Sequence, residues 1–318
     1  MSTIVWPLII ACVITTVLGP YIIPILRKMK MDQTEREEGV QSHLKKAGTP
    51  TMGGAMFLAA ILITSLIFVW RSPKILPVLI LTLGFGGIGF YDDYLKVVKK
   101  SSDGLKAWQK LGLQIVITAI FALFMTKISH VSLELLLPFS DGKMWNIGWV
   151  AVPLLFFAVI GTVNGVNFTD GLDGLASSVT IVVSIFFAIA SYIRNGQVEA
   201  IACAVAGALI GFLFFNSYPA KVFMGDTGSL ALGGFVAAEA YMLQMPIYLL
   251  IIGFIYLAEV VSVMMQVSYF KLTHGKRIFK MTPIHHHFEL CNWSETRIVA
   301  VFTGITIVLS ARCLVGLR

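Results

Sequence analysis

The stretch "NGVNFTDGLDGLAS" at residues 164–177 lies between two runs of apolar residues, each long enough for a membrane-spanning helix. It contains two aspartates, two asparagines, a threonine and three glycines, but no lysine or arginine. Acidic groups are costly beside a lipid bilayer, so acids in such a place usually belong to a functional site. The stretch therefore predicts a bundle of membrane helices with a polar site at one end.

The composition of the chain indicates the same class of protein. Of its 318 residues, 57% are hydrophobic and 13% are charged, whereas soluble domains have about 25% charged residues. The net charge of +7 is spread over many loops and forms no basic arm or stripe, so nucleic-acid binding is not predicted. The four cysteines are scattered and show neither a disulfide pattern nor the spacing of a metal site.

Ten apolar runs approach the length of roughly 20 residues that a membrane-spanning helix requires. They predict an all-α polytopic membrane protein in which residues 1–318 form a single integral-membrane domain. The first run has no cleavage site and is predicted to be a retained span. The runs are 4–26, 52–71, 75–95, 109–127, 148–163, 174–193, 199–215, 228–243, 247–269 and 296–316.

Lysine and arginine concentrate in the connections that follow odd-numbered spans, such as the pair Lys45 and Lys46. Such connections face the cytoplasm in membrane proteins, so both chain termini are predicted to lie outside. The longest outer connection, 128–147, contains "LPFSDGKMWNIG", which predicts a small hairpin with an Asp-Gly turn.

Five polar clusters all fall on the predicted cytoplasmic connections, while the outer connections carry almost none. A random scatter of polar residues would not sort in this way, so the clusters predict one cleft at the cytoplasmic face. The clusters are "SHLKKAGTPTMGG" (42–54), "YDDYLK" (91–96), "NGVNFTDGLDGLAS" (164–177), "NSYPAKVFMGDTGS" (216–229) and "TPIHHHFELCNW" (282–293).

The carboxylates in these clusters favour cation or proton chemistry. Asp92 and Asp93 form an adjacent pair that either coordinates a cation or is simply solvated. Asp170 and Asp173 share a helix face if a helix has begun there, although either one also suits an N-cap. Asp226 precedes a span, where a helix N-terminus favours phosphate and an aspartate can hold a divalent metal.

Other polar and glycine motifs have competing interpretations. Three consecutive histidines, 285–287, do not predict a zinc site, because adjacent side chains splay around a helix and no cysteines are suitably spaced. Glu259, in the middle of a span, is either a relay group or a buried interhelical contact. "GFGGIG" (84–89) lacks the preceding strand of a dinucleotide site and instead indicates close helix packing, as do Gly207 and Gly211.

Carboxylates, lysines and a helix N-terminus at a membrane surface suit Mg²⁺-dependent transfer of a phosphoryl-linked group. The donor would be a soluble activated nucleotide and the acceptor a lipid of the inner leaflet.

The motifs "KKAGTPTMGG", "YDDYLK", "NFTDGLDGLA", "VFMGDTGSLALGG" and "PIHHHFE…NWSETRI", taken in order from Ser42 to Arg297, closely resemble bacterial phospho-N-acetylmuramoyl-pentapeptide-transferases. The resemblance implies ten spans, both termini outside, the bacterial plasma membrane and a homodimer. It also implies Mg²⁺-dependent transfer of phospho-MurNAc-pentapeptide from UDP-MurNAc-pentapeptide to undecaprenyl phosphate, giving lipid I and UMP.

The same resemblance implies roles for individual residues. Asp226 is the expected metal ligand, and Asp92 is the expected base that deprotonates the lipid phosphate. The implied catalytic residues are Asp92, Asp93, Asp226, His285 and His286. The implied substrate-binding residues are Lys46, Thr51, Asn167, Asp170, Gly171, Leu172, Asp173, Asn216, Phe223, Gln266 and His287, together with a phosphate-binding lysine that is either Lys106 or Lys110.

The sequence leaves two alternative functions beside this one. A sister enzyme would transfer GlcNAc-1-phosphate from UDP-GlcNAc to the same lipid, and "GTPTMGG" with the triple histidine disfavours it. A polyprenyl-lipid or ion transporter would place its acids at the midplane of the membrane, not at one face. The sequence leaves open whether the lipid attacks directly or through a covalent aspartyl intermediate.

Overall fold

The computed structural model describes residues 2–29, 48–99 and 104–317, and these are predominantly helical. The helices are α1 (Ser2–Lys28), α2 (Gly54–Phe68), α3 (Ile75–Lys99), α4 (Ala107–Leu123), α5 (Ala151–Thr169), α6 (Leu175–Arg194), α7 (Glu199–Asn216), α8 (Gly225–Met242), α9 (Leu249–Ile252), α10 (Phe254–Leu272), α11 (Ile284–Glu289) and α12 (Glu295–Val315). A π-helical turn extends α4 over Phe124–Ile128, and short 3₁₀ turns precede α5 and α9.

Eight helical segments of the described chain are long and apolar enough to cross a membrane, which confirms a polytopic membrane protein. All ten predicted runs coincide with helices, but α2 has only 15 residues and α8 is not among the eight. The eight segments are Thr3–Lys28, Ile75–Val97, Ala107–Ile128, Gly148–Thr169, Leu175–Arg194, Glu199–Asn216, Phe254–Leu272 and Glu295–Val315.

Two predicted spans differ from the structure in a way that affects the site. The fifth was predicted to end at residue 163, but α5 continues to Thr169, so the first six residues of the polar stretch at 164–177 are helical. The ninth is interrupted at Gly253, whose backbone angles leave the helical range between α9 and α10. Glycine costs about 1 kcal/mol in a helix relative to alanine, which makes it a natural point of interruption.

Helix α8 lies at the centre of the bundle. All of its residues from Thr227 to Met242 are buried, and it packs chiefly against α3 and α5. A methyl group added at Gly233 would lie 2.5 Å from the Cα of Val163 on α5, so only glycine permits this approach. Because protein and not lipid surrounds α8, the helix tolerates small and polar residues that a lipid-facing helix avoids.

The glycine motifs act as packing sites, as predicted. A methyl group at Gly89 of α3 would overlap the backbone of Asp226 at the start of α8. On α7, a methyl group at Gly207 would overlap the backbone of Leu8 of α1, and one at Gly211 would lie 2.6 Å from the carbonyl oxygen of Cys12. Close contact between α3 and α8 is what brings their carboxylates together.

The hairpin predicted within residues 128–147 is present. Strand β1 (Leu135–Leu136) pairs antiparallel with β2 (Met144–Trp145). Asp141 and Gly142 both have positive φ, at 52° and 82°, as the predicted Asp-Gly turn requires.

Candidate active site

Three carboxylates meet where α3 ends and α8 begins. Ligand atoms of Asp92, Asp93 and Asp226 all lie within 4.8 Å of one another. Asp92 and Asp93 are almost fully buried, and Asp226 belongs to the first turn of α8. Asp226 lies at least 133 positions after the adjacent pair Asp92 and Asp93 in the chain, and the glycine-mediated contact of α3 with α8 brings it to them.

Asp93 ties α3 to the N-terminus of α8. Its Oδ2 accepts hydrogen bonds from the backbone nitrogen and the hydroxyl of Thr227 at 2.9 and 2.7 Å, and its Oδ1 accepts one from the nitrogen of Asp226 at 3.2 Å. Free backbone N–H groups at a helix start attract negative charge. These bonds therefore hold Asp93 in place and occupy both of its oxygens.

Two lysines face the remaining carboxylate oxygens. The Nζ atom of Lys96 lies 2.7 Å from Asp92 and 3.0 Å from Asp226. The Nζ atom of Lys110, on α4, lies 2.9 Å from Asp226 and 3.8 Å from Asp92. Of the two lysines left open by the sequence, Lys110 therefore lies at the cluster, whereas the side chain of Lys106 is exposed.

Sequence reasoning missed Lys96 as a site residue. Its position four residues after Asp92 on a helix is the signal that would have found it, because residues i and i+4 share a helix face.

Asn167, which the family resemblance implies is a substrate-binding residue, lies beside Asp226. Its Nδ2 donates hydrogen bonds to Oδ1 of Asp226 and to the hydroxyl of Ser229, both at 2.8 Å. Asn167 reaches this position because α5 continues past the predicted end of its span. The amide therefore orients the carboxylate predicted to hold the metal.

Asp170 and Asp173 do not share a helix face. They lie in the turn between α5 and α6, and Gly174 takes a left-handed conformation with φ of 76° before α6 begins. Loss of hydration, followed by the charges of Asp226, Asp93 and Asp173, raises the pKa of Asp170 well above its usual range. Four acids thus interact across the cleft, which favours binding of a cation.

The segment after α7 packs against the turn between α5 and α6. The backbone nitrogen of Ala220 donates to Oδ2 of Asp173 at 2.9 Å. Asn216 is buried; its Oδ1 accepts from Ser177 and its Nδ2 donates to the carbonyl of Val222. The structure therefore brings Asp173 and Asn216, both predicted to contact the nucleoside, to the same place.

Phe223 and Thr51 lie where the segment before α2 meets the segment before α8. The backbone of Phe223 exchanges hydrogen bonds with Pro50 and Gly53 at 2.9 and 2.8 Å, and its side chain is partly buried. Thr51 lies next to Gly225, at the start of α8. Leu172 is a buried core residue, so of the predicted pocket residues it has the most evident packing role. The predicted residue Lys46 lies outside the described residues.

The three histidines have different polar partners, although the rings of His285 and His286 lie close together, with their centroids 4.1 Å apart. In α11, the Nδ1 of His285 lies 3.1 Å from Glu259, and that of His286 lies 2.7 Å from Glu289. The Nδ1 of His287 accepts from the backbone nitrogen of Lys280 at 3.2 Å.

Known proteins are similar in sequence to this chain along almost its whole length. Residues 75–244, just over half the chain, match the family described as Glycosyl transferase family 4. Residues 46–58 match Phospho-N-acetylmuramoyl-pentapeptide-transferase signature 1. The phospho-N-acetylmuramoyl-pentapeptide-transferase of Clostridium novyi (strain NT) is 48% identical over 319 residues, with 99% of this chain and 96% of that protein covered.

The relatives named phospho-N-acetylmuramoyl-pentapeptide-transferase from Acetivibrio thermocellus and Clostridioides difficile (strain 630) are 46% and 49% identical, covering 99% and 98% of this chain and 95% and 96% of theirs. The chain belongs to the phospho-N-acetylmuramoyl-pentapeptide-transferase family. The resemblance seen in the motifs is thereby confirmed.

The carboxylate cluster has the kind of ligands that a divalent cation would need in a phospho-N-acetylmuramoyl-pentapeptide-transferase. The cluster of Asp92, Asp93 and Asp226 offers hard oxygen ligands within 4.8 Å of one another, the type that Mg²⁺ prefers. The ammonium groups of Lys96 and Lys110 lie against these oxygens, so the position attracts positive charge. The donor set therefore fits the predicted cation.

The side chain of Gln266 makes hydrogen bonds to the backbone of the segment before α11. Its Oε1 accepts from the backbone nitrogens of Ile278 and Phe279, both at 3.0 Å, and its Nε2 donates to the carbonyl of Phe279 at 3.2 Å. The side chain thus holds the segment that leads into α11. Its contact with the donor stays a prediction.

Proposed function

We propose that the chain transfers phospho-MurNAc-pentapeptide from UDP-MurNAc-pentapeptide to undecaprenyl phosphate, forming lipid I and UMP in peptidoglycan synthesis. The observation that carries the proposal is the cluster of Asp92, Asp93 and Asp226 with two lysines, in a chain 48% identical to a transferase of that name. An oxygen of the lipid phosphate bonds to the phosphorus that bears the sugar. The bond to the UMP phosphate breaks, and UMP leaves with the bridging oxygen and its electron pair.

The side chains divide this work according to their surroundings. Asp93 has both oxygens bonded to the start of α8, so its role is to align the cleft. Asp92 has one oxygen held by the backbone nitrogen of Leu105 at 2.6 Å and the other facing Lys96. That second oxygen is the proposed acceptor of a proton from the lipid phosphate.

Lys96 and Lys110 supply positive charge at the reacting phosphates. Electrostatic stabilisation of this kind is the main source of rate in phosphoryl transfer. Asp226, with Asp92 and Asp93 beside it, would hold Mg²⁺, which when bound neutralises the diphosphate of the donor. Asn167 orients Asp226 for this role.

The placement in the membrane follows from the charge pattern. We infer ten spans by adding α2 and α8 to the eight long apolar helices, with both termini outside and the cleft at the cytoplasmic face. The setting would be the bacterial plasma membrane, where the soluble donor is available at that face. Residues 1–318 would form one catalytic domain, and a homodimer is proposed on the family resemblance alone.

The decisive experiment measures UMP release by the purified protein in detergent with undecaprenyl phosphate and Mg²⁺. UDP-MurNAc-pentapeptide and UDP-GlcNAc are offered in parallel. Asp226→Asn tests the cluster, and Asp141→Asn, in the outer hairpin, is the matched control that removes one carboxylate elsewhere. We expect UMP from the muramoyl donor alone, lost with EDTA and in Asp226→Asn but retained in Asp141→Asn.

Turnover of UDP-GlcNAc in place of the muramoyl donor would move the chain to the sister activity. The match of residues 46–58 to the muramoyl signature favours the proposed donor. No UMP from either donor, with intact protein and active lipid, would refute the transferase function.

A further inference from the structure

Glu259 is a buried acid outside the carboxylate cluster. It lies in the second turn of α10 and has no solvent exposure. A carboxylate in such a place is costly unless a positive or hydrogen-bonding group compensates it. Among the described residues, the group at ion-pair distance is His285, whose Nδ1 lies 3.1 Å from Oε1 of Glu259.

The two side chains depend on each other. Within the described chain, neither oxygen of Glu259 and neither ring nitrogen of His285 has a hydrogen bond. Their contact has the distance of an ion pair, and each is the polar group that faces the other in a buried setting. Breaking such a buried pair from one side is more damaging than removing both partners.

The other edge of the His285 ring packs against the turn between α5 and α6. A methyl group at Gly171 would overlap the Nε2 atom of His285. Gly171 lies between Asp170 and the Leu172–Asp173 pair, so the ring touches the turn that carries two acids of the cleft. His285 is itself fully buried, and its contacts in this structure are therefore with protein.

We propose that Glu259 is a positioning residue for the reaction: its carboxylate holds the His285 ring, and the ring sets the turn that carries Asp170 and Asp173. This inference rests on the proposed transferase function. It assigns His285 an indirect role, since the ring acts as a wedge between α10 and the turn. It also explains why glycine occupies position 171, where any side chain would displace the ring.

Glu239 provides a matched control within the same molecule. It is also fully buried in a helix interior, and neither of its carboxylate oxygens has a hydrogen bond among the described residues. It lies near the end of α8 opposite to Asp226. Glu239→Gln and Glu259→Gln therefore make the same chemical change at equal burial, and only one of them touches His285.

The test is a double-mutant cycle on UMP release, using Glu259→Gln, His285→Asn and the double variant. Each single variant is expected to lower turnover by about 10- to 100-fold, the range for residues that orient a functional group. Because Glu259 acts through His285, the double variant should be no slower than His285→Asn. Multiplication of the two effects would overturn the proposal, since contacting residues that act together are non-additive. Equal loss in Glu239→Gln would also overturn it.

A spectroscopic measurement separates positioning from a merely structural role and does not require turnover. In protein with ¹⁵N-labelled histidine, the ring signals assigned to His285 by comparison with His285→Asn should shift in Glu259→Gln and stay unchanged in Glu239→Gln. Unchanged His285 signals in Glu259→Gln would refute the contact. If Glu259→Gln does not fold, Glu259→Asp keeps the charge at a shorter reach, and the same ring signals decide.

The outcomes also separate this inference from the proposed function. Absence of UMP release by the unmodified protein would remove the transferase function, while the ring signals would still test the pair. Normal release with full activity in Glu259→Gln would keep the transferase function and remove the positioning role.

Discussion

Gly89→Ala is the sharpest test of how the carboxylates are aligned. A methyl group at this position would overlap the carbonyl of Asp226 and lie 2.6 Å from the backbone nitrogen of Thr227. Heavy atoms in contact pack at about 3.5–4.0 Å, so the start of α8 must move from α3 by roughly 1 Å. The hydrogen bond of 2.9 Å from Thr227 to Asp93 would then exceed hydrogen-bond range.

The size of the effect follows from that displacement. Overpacking costs about 1–3 kcal/mol, offset in part by the preference of about 1 kcal/mol for alanine over glycine in a helix. Stability should therefore change little or fall by up to about 2 kcal/mol. Turnover should fall far more, because a misplacement of about 1 Å in a catalytic site costs roughly 100-fold.

Gly86→Ala is the matched control on the same helix. A methyl group there would lie 3.0 Å from the end of the Leu58 side chain and 3.3 Å from Ala231, contacts that a small side-chain adjustment relieves. The assay compares kcat/KM for UMP release with the thermal unfolding midpoint in detergent for both variants. Turnover by Gly89→Ala equal to that of the parent, in protein of equal stability, would show that this contact does not set the carboxylate geometry.

Three further predictions test single groups. Lys110→Ala should lower UMP release by about 100-fold or more, because it removes a positive charge at the reacting phosphates, whereas exposed Lys106→Ala should behave as the parent; equal loss in both would contradict the assignment. The raised pKa of Asp170 means that its contribution to stability is full below about pH 4 and is lost as pH rises toward the folded-state pKa. Asp170→Asn should therefore gain in thermal midpoint over the parent between pH 5 and pH 8 without Mg²⁺, and a constant difference would argue against the shift. Thr227→Val leaves the buried carboxylate of Asp93 without its 2.7 Å hydroxyl partner and should cost about 1–3 kcal/mol of unfolding free energy. Thr303→Val is the control and should cost little, because its hydroxyl has no partner among the described residues. Equal costs in the two variants would show that the bond from Thr227 is unimportant.

The membrane class, the helix positions and the identity of the chemistry were all predictable from the sequence. Hydrophobic runs of nearly 20 residues are a local property, and each predicted run coincides with a helix. The prediction that Asp92, Asp93 and Asp226 are functional also rested on local sequence, because carboxylates next to membrane-spanning segments are energetically costly and usually functional. Asp-Gly at 141–142 predicted its turn for the same reason, since backbone conformation there depends on neighbouring residues.

Other features depended on contacts that no local pattern contains. The boundary of α5, the interruption at Gly253 and the burial of α8 follow from how helices pack. The sequence marked Glu259 and left it open between a relay group and an interhelical contact, because its partner in α11 lies 26 residues away in the chain.

The sequence determines which groups this protein has for its chemistry and predicts that they gather at one end of the bundle, since hydropathy and charge act on each segment separately. Tertiary structure alone decided which of those groups meet. Lys96 and Lys110 share Asp226, and His285 packs on Gly171, because glycines let helices approach closely enough for side chains distant in sequence to touch.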